Sequence, residues 1–280
     1  MKKIILIFFI FCINVNVSEA AIKVSPATVE IDANKIKKDY LAGSFSVEGG
    51  KDETIRFKIY PEFFEHDKKG GYIKLPDKGQ PNSLIDKVKF YPAEFTCKDG
   101  IPQKVRFTIT DIKSLPPGES RLALFLEDTQ TKEYLIQKAS GQIGGRIIVK
   151  TRMGVPIYLN KGNYSRKGTL DAVAFKKSGD DYICEYKVSS LGNSRLYYSG
   201  FAYISQEGKL IKTIPVNPAS VDPSKMLEKI QKLNIEKGDL EDGKEYDIKF
   251  VLTYNDENNK PKILKQEFKF TPLVSVQKSI

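Results

Sequence analysis

Hydrophobic and polar positions alternate along most of the chain with the two-residue period of a β-strand that buries one face. Ile55, Phe57 and Ile59 alternate with charged or tyrosine side chains, and the stretch 104–110 repeats the pattern. Residues that favour turns separate these stretches, and helices do not alternate with them. The pattern therefore predicts an all-β protein built from sandwiches of two sheets.

The alternating stretches form two series on either side of a polar segment, 160–167. The first series comprises 22–31, 43–48, 54–63, 85–91, 104–110, 121–127 and 145–159, and the second comprises 169–175, 182–189, 195–204, 210–216, 246–254 and 262–270. A chain of 280 residues is long enough for two domains with separate cores. We therefore expect two sandwich domains in tandem, 21–160 and 161–273, followed by a frayed tail, 274–280.

The sequence also predicts the structure of three stretches between these strands. Residues 65–83 are polar and predict a loop with one short strand near 72–75, and 129–144 predicts a long connection. Asp222 followed by a proline fits the start of a helix that would run to Leu233, with a strand at 233–235 as the competing interpretation.

The stretch 145–153 is the strand on which the chain is organised in this interpretation. Apolar Ile147, Val149 and Met153 share one parity, and the cationic Lys150 and Arg152 lie at positions between them. The sequence therefore predicts a strand that ends the first domain and has two different faces.

Prolines are expected to mark limits of strands, because proline cannot donate a hydrogen bond to a ladder. Pro26 predicts a broken edge strand at the start of the mature chain. Gly154 and Pro156 predict an interruption after the strand 145–153, and the stretch 157–159 resumes it.

The first twenty residues have the pattern of a cleaved signal peptide. Lys2 and Lys3 precede an apolar run over 4–15, and Ser-Glu-Ala at 18–20 resembles a cleavage site. No later apolar run reaches the length of a membrane span. We expect export to the bacterial periplasm, and no integral membrane segment after cleavage.

The cysteines and the charge pattern argue against a disulfide framework and against a nucleic-acid groove. Cys97 and Cys184 fall in different predicted domains, so we expect small buried side chains and no disulfide framework. The net charge is +10, but charges of both signs are interleaved, which predicts solvated faces and not a nucleic-acid groove.

Catalytic chemistry finds no support in the sequence. His66 is the only histidine and lies in a polar stretch, so a Ser-His-Asp or Cys-His arrangement lacks a well-placed base. Zinc-type Cys/His spacing is missing from the sequence, and no phosphate-binding glycine loop precedes a helix. We expect a protein that is not an enzyme and that uses no cofactor or metal.

Several motifs together resemble those of the PapD-like periplasmic chaperones of pilus and fimbria assembly. The resemblance covers nearly the whole mature chain and is carried by A-I-K-V-S-P-A-T-V-E-I, F-Y-P-A-E-F-T, L-P-P-G-E-S-R-L-A-L-F-L, R-M-G-V-P-I-Y-L and S-S-L-G-N-S-R-L-Y-Y-S-G-F. It implies two immunoglobulin-like β-sandwich domains set at an angle.

The resemblance also implies a mechanism, donor-strand complementation. The last strand of the first domain would pair with an exported pilin-like subunit and insert alternate apolar side chains into its groove. Here that strand would be 145–153, with Ile147, Val149 and Met153 as the inserted residues. The partners would be exported pilus subunits, and a further partner, an outer-membrane usher, is left open.

The chain departs from the family at the pair of basic residues that holds the subunit's terminal carboxylate. Thr28 and Val155 stand at those positions, and neither can pair with a carboxylate. The candidates to replace them are three basic residues: Arg152, Lys150 and Lys23.

The alternative function is an exported structural or adhesive double sandwich without chaperone activity. Such a protein should cover or charge the edge of 145–153, whereas a chaperone should leave it available and apolar. Lys150 and Arg152 place charge near that edge, so the sequence leaves both interpretations open.

Overall fold

The computed structural model describes residues 22–272 except 52, 77–78, 131, 138–142, 180 and 237, and it describes the backbone alone at 132–137 and 143–144. The predicted signal peptide and the predicted tail lie outside the described residues. Three short 3₁₀ turns, Ala33–Lys35, Ile85–Lys87 and Ile112–Ser114, are the only described helices. None of the described helices is long and apolar enough to cross a membrane.

All other regular structure in the described residues is β-strand. The strands of the first half are β1 (Ile22–Ser25), β2 (Val29–Asp32), β3 (Tyr40–Gly49), β4 (Thr54–Glu62), β5 (Phe64–His66), β6 (Tyr72–Lys74), β7 (Val88–Tyr91), β8 (Glu94–Lys98), β9 (Gln103–Thr110), β10 (Gly118–Asp128), β11 (Lys132–Gln137), β12 (Ile143–Val149) and β13 (Arg152–Lys161). The strands of the second half are β14 (Gly168–Ser178), β15 (Asp181–Ser190), β16 (Leu196–Gln206), β17 (Lys209–Val221), β18 (Met226–Leu233), β19 (Tyr246–Asn255) and β20 (Pro261–Phe270).

The first sandwich packs a four-stranded sheet, β1-β3-β9-β7, against a five-stranded sheet, β2-β13-β10-β4-β8. Its core joins inward side chains of both sheets, such as Phe45 and Phe107 from one and Phe57, Leu124 and Ile157 from the other. These are the apolar positions of the two-residue alternation, so burial follows the pattern of the sequence.

The second sandwich packs a three-stranded sheet, β14-β15-β18, against a four-stranded sheet, β17-β16-β19-β20. Its core is separate from the first and includes Tyr186, Leu227, Ile204 and Phe250. Two antiparallel sheets with this split strand order are the immunoglobulin-like arrangement, so the prediction of an all-β protein of two sandwiches is confirmed. The boundary after residue 160 stays a prediction.

The chain crosses between the sheets of the first sandwich at proline positions. β1 pairs with β3, whereas β2, separated from Ser25 by three residues, pairs in parallel with β13 in the other sheet. β7 and β8 divide in the same way around Pro92. The predicted broken edge strand at Pro26 is confirmed, because proline ends pairing on its donor side.

The predicted helix beginning near Asp222 is wrong, because β18 is a strand that pairs with β15. Leu227 and Leu233 are buried at a strand's even spacing, whereas Met226 and Ile230, which a helix would place with Leu233, are exposed. The Asp222 carboxylate binds partners in the first sandwich, so it does not cap a helix.

The predicted short strand near 72–75 is β6, which pairs with β5 as a short hairpin. The predicted connection 129–144 also contains a strand, β11, which pairs with β12. A two-stranded hairpin needs little apolar sequence, so β11 was not predicted.

Candidate functional site

The hairpin of β11 and β12 is a two-stranded sheet at the end of the first sandwich, and residues 146–149 of β12 are exposed. β12 pairs with β11 on one side, and among the described residues its other backbone edge has no strand beside it. Ile147, Ile148 and Val149 expose 48%, 62% and 42% of their surface. Side chains of both parities therefore present apolar surface along an open edge.

The predicted single strand over 145–153 is wrong, because the structure divides it at Lys150 and Thr151 into β12 and β13. The Thr151 carbonyl accepts a hydrogen bond of 2.9 Å from the Asp128 amide, which is the point where the chain enters the main sheet. Ile147 and Val149 therefore lie in the exposed hairpin, whereas Met153 lies in β13.

Met153 is turned toward the first sandwich. It lies opposite Leu126 of β10 and packs against the core.

The predicted interruption at Gly154 and Pro156 is wrong, because β13 continues to Lys161. Gly154 gives room to the ring of Phe125, and Pro156 lies just before β13 begins to pair with β2.

Arg152 is enclosed by aromatic rings. Its guanidinium carbon lies 3.7 Å from the ring centroid of Phe125, 5.4 Å from that of Tyr60 and 5.9 Å from that of Tyr72. The guanidinium also pairs with Glu62. These contacts combine cation–π attraction with an ion pair and fix the first residue of β13.

Glu62 is a buried carboxylate held by three donors. The Tyr72 hydroxyl donates at 2.6 Å and the Lys74 ammonium at 2.9 Å, in addition to Arg152. Burial alone would raise the pKa of Glu62, but these hydrogen bonds outweigh it and lower that pKa. Arg152 is therefore already paired with a carboxylate of its own chain.

The other two candidate cations also face acidic partners. Lys150 pairs with Glu127, and Lys23 lies 3.9 Å from Glu48 on the surface of the first sandwich. In the structure, Lys23, Lys150 and Arg152 do not come together with Thr28 and Val155 at one site.

The joint between the sandwiches contains a cluster of buried charges. Arg121 of β10 lies 3.0 Å from Glu119 and 2.6 Å from Asp222, which follows β17 in the second sandwich. His66 approaches the same carboxylate, with its amide donating at 2.7 Å and its Nδ1 at 3.0 Å. Asp222 is 2% exposed, so its charge depends on partners from the first sandwich.

The two buried carboxylates of this cluster have opposite pKa shifts. Burial raises the pKa of Asp222, but His66 and Arg121 outweigh it and lower that pKa to about 2. Glu119 is almost completely buried, and the desolvation of its carboxylate raises its pKa despite Arg121 and the Arg195 amide. The joint thus holds Asp222 ionised more firmly than Glu119.

A cleft of about 380 Å³ opens beside the joint, lined by Thr28, Glu30, Arg195 and Tyr197. The Arg195 guanidinium pairs with Glu30 and lies 3.9 Å from the ring centroid of Tyr158. Thr28, one of the two positions where the resemblance leads us to expect a basic residue, therefore lines a cleft with an arginine of the second sandwich.

A second arginine, Arg166, lines an adjoining cavity together with Glu30 and Arg195. It lies 3.8 Å from Glu30 and donates to the Ser194 hydroxyl at 3.3 Å. Val155, the other position where the resemblance leads us to expect a basic residue, is buried in the core of the first sandwich. Arg195 belongs to the S-S-L-G-N-S-R motif, and nothing local in the sequence shows that this turn meets β10.

The turn in that motif connects the two sandwiches. The Asn193 carbonyl accepts from the Glu119 amide at 2.9 Å, and the Asn193 side chain accepts from the Ser165 amide at 2.7 Å. A Cβ added to Gly192 would overlap the Ser165 carbonyl oxygen, so the close approach requires glycine. The motif therefore marks a structural contact of the joint.

The two cysteines of the described chain are buried and unpaired, as predicted. Among residues that the structure describes, no group of three or more His, Cys, Asp or Glu side chains could hold a metal ion.

No protein-family model matches the chain. No curated protein matches it by sequence. Among solved structures, it is similar to the CsuC–CsuE chaperone–tip adhesion subunit pre-assembly complex from the archaic chaperone-usher Csu pili of Acinetobacter baumannii, with 12% identity, a TM-score of 0.44, and 88% of this chain and 98% of that chain covered. It is also similar to the CupB2 chaperone of Pseudomonas aeruginosa, with 8% identity, a TM-score of 0.41, and 87% and 98% covered. The class 5 fimbriae chaperone CfaA matches with 12% identity, a TM-score of 0.41, and 90% and 100% covered.

Proposed function

We propose that this protein is an exported, periplasmic chaperone that binds pilus or fimbrial subunits by offering β12 as an additional strand. The observation that carries the proposal is the open, apolar edge of β12, on which Ile147, Ile148 and Val149 are exposed. An edge of this kind invites pairing with another chain, and proteins that do not use such an edge usually cover or charge it.

The two cations that follow this edge are engaged elsewhere. Lys150 pairs with Glu127 and Arg152 with Glu62, and both follow the last residue of β12. They therefore place no charge within β12, whose one charged residue is Arg146. This favours a chaperone over a structural or adhesive sandwich that protects its edges.

Ile147 and Val149 would enter the client's groove from one face of β12. Each contributes roughly 1.5 to 3 kcal/mol when fully buried. Replacing both by Asp would bring unpaired charge into the groove, and we expect client affinity to fall at least about a hundredfold. Met153 packs against the protein's own core, so the proposed anchors are Ile147 and Val149 alone.

The test is co-expression with exported pilin-like subunits encoded beside this gene, followed by affinity measurement on the purified complex. The matched control replaces Ile211 and Ile263 by Asp, because both are exposed on edge strands of the second sandwich. Folding is checked by circular dichroism. If folded Ile147→Asp, Val149→Asp protein binds subunits as well as the control does, the chaperone proposal fails and the structural double sandwich is favoured.

For the client's terminal carboxylate we propose Arg195, with Arg166 beside it, in place of Lys23, Lys150 and Arg152. The support is the position of Arg195 in the cleft that Thr28 lines, where Glu30 now pairs with Arg195, and the position of Arg166 in an adjoining cavity that Glu30 and Arg195 also line. A client carboxylate would displace Glu30. Glu30→Gln should therefore tighten client binding and Arg166→Gln should weaken it, each by about threefold to tenfold. Unchanged affinity in both variants would remove this anchor from the proposal.

A further inference from the structure

The short hairpin of β5 and β6 belongs to the first sandwich by its packing. Phe64 is buried against Tyr158, with ring centroids 6.0 Å apart. Tyr72 stacks on Phe64 at 5.6 Å and meets the edge of Phe125 at 5.3 Å. The base of the hairpin is therefore fixed to β10 and β13 by aromatic contacts.

The tip of the same hairpin contacts the second sandwich along β18. The Glu228 amide donates to the Lys68 carbonyl at 2.6 Å, and the Lys229 ammonium donates to the Lys69 carbonyl at 3.1 Å. Lys225, just before β18, pairs with Glu65. The hairpin thus bridges the two sandwiches outside their main joint.

His66 connects this bridge to the buried joint. Its amide and its Nδ1 both contact Asp222. Arg121 from β10 binds the Asp222 oxygen that faces Nδ1, and the Glu65–Lys225 pair adjoins His66 on the hairpin and before β18. Charged groups of both signs therefore lie near the imidazole.

The charge of His66 changes the strength of its contact with Asp222. A neutral imidazole can donate one ordinary hydrogen bond, whereas an imidazolium donates a charge-assisted bond that is roughly twice as strong. Arg121 repels an imidazolium, but Glu119 lies 3.0 Å from Arg121 and compensates part of that charge. Asp222 touches the imidazole directly, so attraction prevails.

We propose that the β5–β6 hairpin is a latch that holds the two sandwiches at one angle, and that its hold tightens when His66 is protonated. Histidine is the side chain that ordinarily changes charge between about pH 5 and pH 8, and this chain contains one histidine. The latch also reaches the first residue of β13 through Tyr72 and Arg152, so it lies next to the exposed β12 hairpin. The latch itself does not depend on the proposed client binding.

The test measures the distance between the far ends of the sandwiches in the full mature chain. Spin labels on Lys98→Cys and Lys209→Cys report it, because both positions are exposed. Burial raises the pKa of the native thiols, Cys97 and Cys184, which protects them from labelling. We expect a narrower distribution of the distance between the two labels near pH 5.5 than near pH 8. Amide exchange at Glu228, corrected for the intrinsic exchange rate, should be about fivefold faster near pH 8 than near pH 5.5.

His66→Asn separates charge from shape, because the amide of Asn can replace the Nδ1 donor without titrating. This variant should fold, retain the bridge and lose the pH dependence. Lys225→Ala should widen the distribution at both pH values and keep the pH dependence. The control, Lys232→Ala, breaks an exposed ion pair with Asp181 within the second sandwich and should match the wild type. A pH-independent distribution in the wild type, or the same pH dependence in His66→Asn, overturns the latch.

Discussion

At the joint between the sandwiches, Arg121 and Asp222 are buried, and each pairs with a charged side chain of the other sandwich. On the β11–β12 hairpin, Ile147, Ile148 and Val149 point apolar side chains into solvent. The usual placement of charged and apolar residues is thus reversed in both regions. The joint gains a fixed geometry from buried charges, and the hairpin keeps an edge that another chain can pair with.

This comparison explains why the two regions should respond differently to substitution. A buried ion pair gives a unique arrangement, but removing one partner leaves an uncompensated charge inside the protein. An exposed apolar residue on an open edge contributes little to stability, and its value lies in what it can bind. Substitutions in the joint should therefore lower the free energy of unfolding, and substitutions in the hairpin should lower the affinity for a binding partner.

The largest effect should come from Arg121→Ala. This substitution leaves Glu119 and Asp222 buried without their shared cation, so we expect a loss of about 3 to 5 kcal/mol in the free energy of unfolding. Urea denaturation followed by circular dichroism measures it. Arg56→Ala, which removes an exposed pair with Glu94, is the control and should cost at most about 1 kcal/mol. Similar losses in the two variants would contradict the role assigned to the joint.

Acid should weaken the joint through Asp222. Its pKa is about 2 in the folded protein and 3.8 as the ordinary value, so its stabilisation is present above pH 3.8 and is lost as the pH falls toward 2. The loss should reach about 2 kcal/mol. Glu119 has a raised pKa, so its protonation should first stabilise the folded state slightly at higher pH.

Unfolding free energies measured between about pH 6 and pH 2 test both signs. Asp222→Asn should remove the acid loss, and Glu119→Gln should remove the preceding gain. If the loss of stability in acid is unchanged in Asp222→Asn, that loss comes from other carboxylates.

Arg152 lies between the two regions, so Arg152→Ala should give an intermediate effect. It removes the ion pair with Glu62 and the cation–π contacts, and we expect a loss of about 1 to 2 kcal/mol. Amide exchange along β12 and β13 should accelerate more than exchange in the second sandwich. Uniform acceleration in both sandwiches would show that Arg152 does not act locally.

The smallest stability effect should come from the hairpin. Ile147→Asp should change the free energy of unfolding by no more than about 0.5 kcal/mol. The matched substitution Ile157→Asp, at a buried position of β13, should prevent folding. A large loss from Ile147→Asp would mean that its side chain is packed, and that the edge is not available to a client.

Alternation by itself predicted most of the strands and the division into two sandwiches. Ile55, Phe57 and Ile59 are buried as their spacing requires, because successive side chains of a strand point to opposite faces. The burial of Cys97 and Cys184 followed from their apolar character. Strand β18 escaped the same reasoning, because a short stretch with Met226, Ile230 and Leu233 also fits a helical period.

What the sequence could not determine is which distant residues meet. His66 and Asp222 are 156 positions apart, Arg195 and Glu30 are 165 apart, and no local pattern announces either contact. The same limit applies to Arg152, whose charge suggested a free anchor until its aromatic neighbours and Glu62 were located. Local side-chain chemistry determines strands because the alternation of faces is a local property. Buried charge partners are decided by tertiary structure alone, because a carboxylate accepts any cation that the fold brings to it.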